Sequence, residues 1–166
     1  MRLNQEILDN IGAYRLPRFA EIPNVGLYLN QVAKYINEYM EPFQDMKLTE
    51  SMISNYVKKH LISSPVKKQY DREQIASLIF IALAKSVLSM DNIQMLFDMQ
   101  KESYEKPLAF DYFADEFENV LQYVFGIRGE LEQPEEMDET KVLCRDVLLA
   151  VAQKLYLDQF FASVKK

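Results

Sequence analysis

"NYVKKHLISSPVKKQY", residues 55–70, sets Lys58, Lys59, His60, Lys67 and Lys68 within sixteen positions of a chain whose net charge is −6. Its first part reads as the end of a helix. In "ESMISNYVKKHL" the residues Ile53, Tyr56 and Leu61 fall inward, Ser54, Asn55, Lys58 and Lys59 fall outward, and the Thr49 hydroxyl is placed to cap the start. Its second part, "ISSPVKKQY", combines Pro65 with β-branched residues and no helical period, which predicts a short loop or small hairpin. Beyond it, Asp71 reads as a helix cap with Gln74 as its reciprocal partner. That cap opens "REQIASLIFIALAKSVL", in which Ile75, Leu78, Ile79, Ala82 and Leu83 recur at helical spacing.

Upstream, Val25, Leu29, Val32, Ile36 and Tyr39 recur at spacings of four, three, four and three, which predicts one helix face from Val25 to a stop before Pro42. The residues before it, marked by Pro17 and Pro23, read as a loop. Downstream, Ser89 caps "SMDNIQMLFDMQKE", whose buried stripe is Ile93, Leu96 and Phe97. Two further helices follow around an acidic loop. One, near 108–125, uses Phe110, Phe113, Phe117, Val120, Leu121 and Val124; the other, near 139–163, uses Cys144, Leu148, Val151 and Leu155. With four glycines and no extended period-two alternation, the expected fold is all-α apart from the hairpin.

Composition narrows the function. A hydrophobic share of 49% without low-complexity runs belongs to a globular domain. The longest nearly apolar stretch, "ASLIFIALA" at 76–84, is too short to cross a bilayer, and the amino terminus lacks a signal pattern, so a cytoplasmic protein without a membrane partner is expected. One cysteine and one histidine supply neither an internal disulfide nor a zinc site. The charge is unevenly spread. Residues 47–72 carry six basic side chains against two acids, net +4, while residues 102–139 carry twelve acids against Lys106 and Arg128, net −10. For such runs a solvated face is the plain alternative to a binding surface.

The run "LTESMISNYVKKHLISSPVKKQYDREQIASLIFIALAKSVLSMDNIQML", residues 48–96, resembles the winged helix-turn-helix head of the MerR class of bacterial regulators. The likeness lies in a helix ending in a tyrosine with an "LI" exit, a short wing, a basic residue two before a tyrosine, and a further helix followed by a capped one ending in "IxxL". In addition, "LPRFAEIPNVGLYLNQVAKYINEYM" joined to "SNYVKKHLISSPVKKQY" resembles a bacterial family catalogued as domain of unknown function 1836, to which no activity is attached. The MerR resemblance implies a recognition helix at 49–60, a wing at Lys67 and Lys68, and Tyr70 as the anchor closing the wing on the next helix. It departs from that class at Ser54, where an arginine is common, at His60, where a glycine is common, and in a longer turn between the first two helices. It implies residues 1–100 as an N-terminal loop and DNA-binding head, and 101–166 as a helical dimerisation or effector part.

The residues support a site by themselves. Positions 54, 55 and 58 share an exposed helix face, an asparagine amide can pair with an adenine edge, and lysines on either side can neutralise phosphates. The expected DNA-binding set is Thr49, Ser51, Ser54, Asn55, Lys58, Lys59, Lys67, Lys68 and Arg72, with the lysines positioning and Ser54 and Asn55 reading. Other candidates are weaker. His60 has no nucleophile and orienting carboxylate at useful spacing, and fits better as a complement to the carbonyl end of its helix. Glu135, Glu136, Asp138 and Glu139 lack the spacing of a calcium loop, and Cys144 on an apolar stripe reads as an inert thiol. The expectation is a sequence-specific DNA-binding regulator acting as a homodimer, with no cofactor, metal or enzymatic activity, and with an unidentified small-molecule or protein effector. The competing reading is an interaction module whose basic face meets an acidic protein.

Overall fold

Thr49 and Asp71, the two caps legible in the sequence, each begin a helix. Thr49 Oγ1 accepts from the Met52 amide at 3.0 Å, opening α3 (Glu50–Lys58). Asp71 Oδ1 accepts from the Gln74 amide at 2.8 Å while Gln74 Oε1 accepts from the Asp71 amide at 2.7 Å, a capping box that opens α4 (Arg72–Ala84). The computed structural model describes residues 3–133 and 136–165. The other elements in chain order are α1 (Gln5–Ala13), β1 (Leu27–Tyr28), α2 (Leu29–Tyr39), β2 (Gln69–Tyr70), α5 (Met90–Ser103), α6 (Lys106–Val124) and α7 (Glu139–Val164). Among the described residues the fold is mostly helical, with one small antiparallel sheet pairing Leu27 with Tyr70 and Tyr28 with Gln69.

The chain divides into two compact units. In the unit Pro17–Asp111, α2 packs on α3, α4 and the sheet. Ile22, Val32, Ile36, Met40, Met46, Leu48, Ile53, Ile75, Leu78, Ile79 and Leu83 are all removed from solvent there. Phe80 of α4 meets Phe97 of α5 edge-on, 5.7 Å between ring centroids. The unit Met1–Leu16 with Tyr112–Lys166 holds α1, most of α6, and α7. Phe117, Val120, Leu121, Leu148, Val151 and Leu155 fill its core, with Tyr14 edge-on to Phe117. Arg145 is buried in it with Glu116, Nε to Oε1 at 2.8 Å, and also donates to Gln133 and to the Glu132 carbonyl. By length and composition alone α7 would suffice to cross a membrane, a test that core helices of soluble proteins also pass.

Several local expectations change. Val25 is not helical: it is 80% exposed, and α2 begins only at Leu29. Gly26 is the cause, since its φ of +76° breaks the helix path and the next two residues pair with β2. The region read as a leading loop contains α1, capped where Asn4 Oδ1 accepts from the Ile7 amide. The helix expected to run to Leu88 stops at Ala84 and closes in turns through Leu88. Cys144 sits half-buried at the edge of its stripe.

Candidate nucleic-acid interface

The exposed side of α3 is built from spacing. Ser51, Ser54, Asn55 and Lys58 fall at intervals of three, one and three, so one side of the helix presents all four, while Ile53 and Tyr56 turn into the core. Ser51, Ser54 and Lys58 are exposed and Asn55 is half-buried. Lys59 is the exposed C-cap. Thr49 is exposed too, with its hydroxyl oxygen engaged in the helix cap.

The helix ends in a Schellman motif: the Leu61 amide donates to the Tyr56 carbonyl at 2.9 Å and the His60 amide to the Val57 carbonyl at 3.0 Å. His60 itself is left-handed, φ +61°, at the position that most often takes glycine. The resulting reversal sends Leu61 and Ile62 back into the core and starts the hairpin.

At the hairpin tip, the Gln69 amide donates to the Val66 carbonyl at 2.9 Å and the Val66 amide to the Gln69 carbonyl at 3.1 Å, enclosing only Lys67 and Lys68. Both lysines have positive φ, +52° and +66°, which is what a tight two-residue turn needs to match the twist of its strands. Both are exposed. Asn-Gly is the pair best suited to such a turn, and each left-handed lysine costs on the order of 1 kcal/mol.

Three side chains hold α3 and the hairpin in place, a role that sequence reading assigns to none of them. Asn37 on α2 clamps the turn before α3: its Nδ2 donates to the Leu48 carbonyl and its Oδ1 accepts from the Leu48 amide, both at 2.8 Å. Buried Gln74, besides capping α4, donates Nε2 to the Ser63 and Ser64 carbonyls at 3.0 and 3.1 Å, tying down the base of the hairpin. Arg72, half-buried, donates Nε to the Ile22 carbonyl at 2.8 Å and lies 5.6 Å from the centre of the Phe19 ring. Its guanidinium thus secures the segment before β1, while the other eight residues of the expected set lie along α3 and at the tip. Polar spacing carries no signal for these long-range clamps, although the capping pattern singles out Gln74 for another reason. Burial pushes the Tyr56 and Tyr70 phenols above their ordinary value, as suits anchors beneath α3 and the hairpin.

The remaining candidates stay apart. His60 is exposed. Burial, with the Glu116 carboxylate adding to it, pushes the Cys144 thiol up to about 12, so almost none is thiolate at neutral pH. Among the described residues no group of three His, Cys, Asp or Glu side chains is arranged to hold a metal; Glu135 lies outside the described residues.

The family model described as a domain of unknown function (DUF1836) matches residues 17–117, more than half the chain. The chain belongs to the DUF1836 family. The DUF1836 match takes in the whole Pro17–Asp111 unit, with α3, the hairpin and their three clamps, and stops before α7. No curated protein matches the chain, and no solved structure does.

Proposed function

We propose that this DUF1836 protein is a sequence-specific DNA-binding transcriptional regulator, with a winged helix-turn-helix of the MerR type in residues 17–111. The observation that carries the reading is the hairpin tip, where two lysines occupy left-handed positions that glycine or asparagine would fill with less strain. Backbone strain kept in order to project two cations fits a phosphate contact. In this reading α3 enters a major groove, with Ser54 and Asn55 at base edges and Lys58 and Lys59 at phosphates, and Lys67 and Lys68 reach the flanking backbone. A single nine-residue helix reads few base pairs, so the regulator acts as a homodimer on paired half-sites. Leu157, Phe161 and Val164 are among the exposed apolar residues of α7 that such pairing would cover. No catalysis is part of the proposal.

A second reading has support of its own: the same basic face binding an acidic protein. Ser54 stands where the MerR class has an arginine, and the Arg72 guanidinium is committed to Ile22 and Phe19. Selection of bound fragments from random duplex DNA at moderate salt separates the two. The regulator enriches a common motif with two related halves; the interaction module enriches nothing, because lysines on phosphates are blind to sequence.

A further inference from the structure

The small sheet turns a row of side chains outward. Gln69 exchanges both of its backbone hydrogen bonds with Val66 across the two-lysine turn. Its pairing with Tyr28 on the other side is therefore of the kind that exchanges none, in which opposed side chains stand closest. Residues directly opposite one another share a face, so Val66, Gln69 and Tyr28 form one row, about 10 Å long. Tyr70, paired with Leu27, turns the other way into the core. The row faces solvent: Val66 is 74% exposed and Tyr28 49%. Exposed Val25 precedes Gly26, whose backbone lies so close to the Gln69 side chain that a Cβ there would come within 2.9 Å of its Oε1. Single exposed apolar residues are ordinary; three gathered round one half-buried carboxamide, beside the exposed Lys67 and Lys68, make a surface for a partner.

We propose that this face binds single-stranded DNA, with an unpaired thymine stacked on Tyr28. An exposed tyrosine on a sheet offers a flat apolar surface, and an unpaired base has a matching one that no duplex must open to present. The Gln69 carboxamide holds a donor and an acceptor together, which suits the edge of thymine, where an N–H lies beside a carbonyl oxygen. Val66 and Val25 supply apolar contact for the C5 methyl, the group that uracil lacks. Lys67 and Lys68 neutralise the phosphates flanking the stacked nucleotide. An acidic peptide would satisfy the lysines alone and leave the ring and the amide without a use. The contact shares its two lysines with the duplex reading but does not depend on it, since α3 takes no part.

The test is fluorescence anisotropy of the full chain with labelled oligo(dT), oligo(dU), oligo(rU) and a duplex of equal length, all at one moderate salt concentration. The native chain binds oligo(dT) about three- to fourfold more tightly than oligo(dU), the worth of one methyl removed from water. Tyr28→Ala weakens oligo(dT) binding about tenfold and leaves duplex binding as it was, whereas Tyr28→Phe keeps the stacking surface and stays within about twofold of the native chain. The native preference for oligo(dT) over oligo(dU) decides the matter even should Tyr28→Ala fold poorly. Equal binding of oligo(dT) and oligo(dU) overturns the proposal, as does oligo(dT) binding that ignores Tyr28→Ala, which is attraction of phosphates to lysines alone. A preference for oligo(rU) overturns it too, by making the partner RNA. Failure to enrich any duplex motif would end the regulator reading and leave each of these outcomes as decisive as before.

Discussion

Asn37→Ala removes the clamp between α2 and the turn that leads to α3. Two hydrogen bonds of 2.8 Å disappear, and both belong to Leu48, a residue with 1% of its surface exposed. At roughly 1–1.5 kcal/mol for each bond the loss is about 2–3 kcal/mol. Asn37→Asp sharpens the test. Its carboxylate still accepts from the Leu48 amide but turns an oxygen toward the Leu48 carbonyl, so it costs at least as much at neutral pH and recovers part of the loss once protonated. Asn30→Ala, an exposed position on the same helix, stays within about 0.5 kcal/mol. Urea unfolding of the three variants gives the stabilities, and hydrogen exchange at the Leu48 amide reports the clamp directly. A loss under about 0.5 kcal/mol in both Asn37 variants, with Leu48 protection unchanged, would refute the assignment of Asn37 as the part that fixes α3.

His60→Gly relieves a left-handed residue at a position suited to glycine, so it raises stability by about 1 kcal/mol in urea melts despite the entropy that glycine adds to the unfolded chain. Glu116→Ala leaves Arg145 buried without its ion-pair partner and lowers stability by about 3–5 kcal/mol, whereas Glu116→Leu combined with Arg145→Met recovers most of that loss; calorimetry distinguishes them. Stability also changes with alkaline pH in two opposed steps. The folded pKa of Lys106, about 8, lies below its ordinary 10.5, so the unfolded chain binds more protons between those values and stability rises through that window. The raised phenols of Tyr35, Tyr56, Tyr70 and Tyr112 act oppositely, because their stabilising effect is present below their ordinary value of 10 and is lost as pH rises above it; denaturant midpoints from pH 7 to 11 should therefore pass through a maximum.

Local chemistry is legible in the sequence and long-range placement is not. Thr49, Asp71 with Gln74, and Ser89 read as caps from residue type and spacing alone, and each side chain accepts from the amide three residues on. Ile53 and Tyr56 likewise predict burial on one face of α3, whereas Leu61, read as their continuation, is buried beyond the end of the helix, after the reversal at His60. Val25 misleads because its spacing to Leu29 fits a helix while Gly26 next to it takes a positive φ, and φ is not written in apolar periodicity. α1 escapes notice because Pro17 and Pro23 dominate a stretch whose only buried helical residue is Ile11. A hairpin is foreseeable at 62–70, but its pairing with Leu27 and Tyr28 joins residues some forty positions apart, beyond any local pattern. The Asn37 clamp and the Arg72 bonds to Ile22 and Ala20 belong to the same class, since a polar residue on a helix looks alike whether it meets water or a distant carbonyl.

The most direct test of the central claim is an equilibrium titration of one selected duplex over a range of salt, with the native chain and with Lys67→Glu combined with Lys68→Glu. The account predicts weaker binding in the variant and a log–log salt slope shallower by roughly 0.9 for each phosphate no longer neutralised. Equal affinity and an unchanged slope would contradict it.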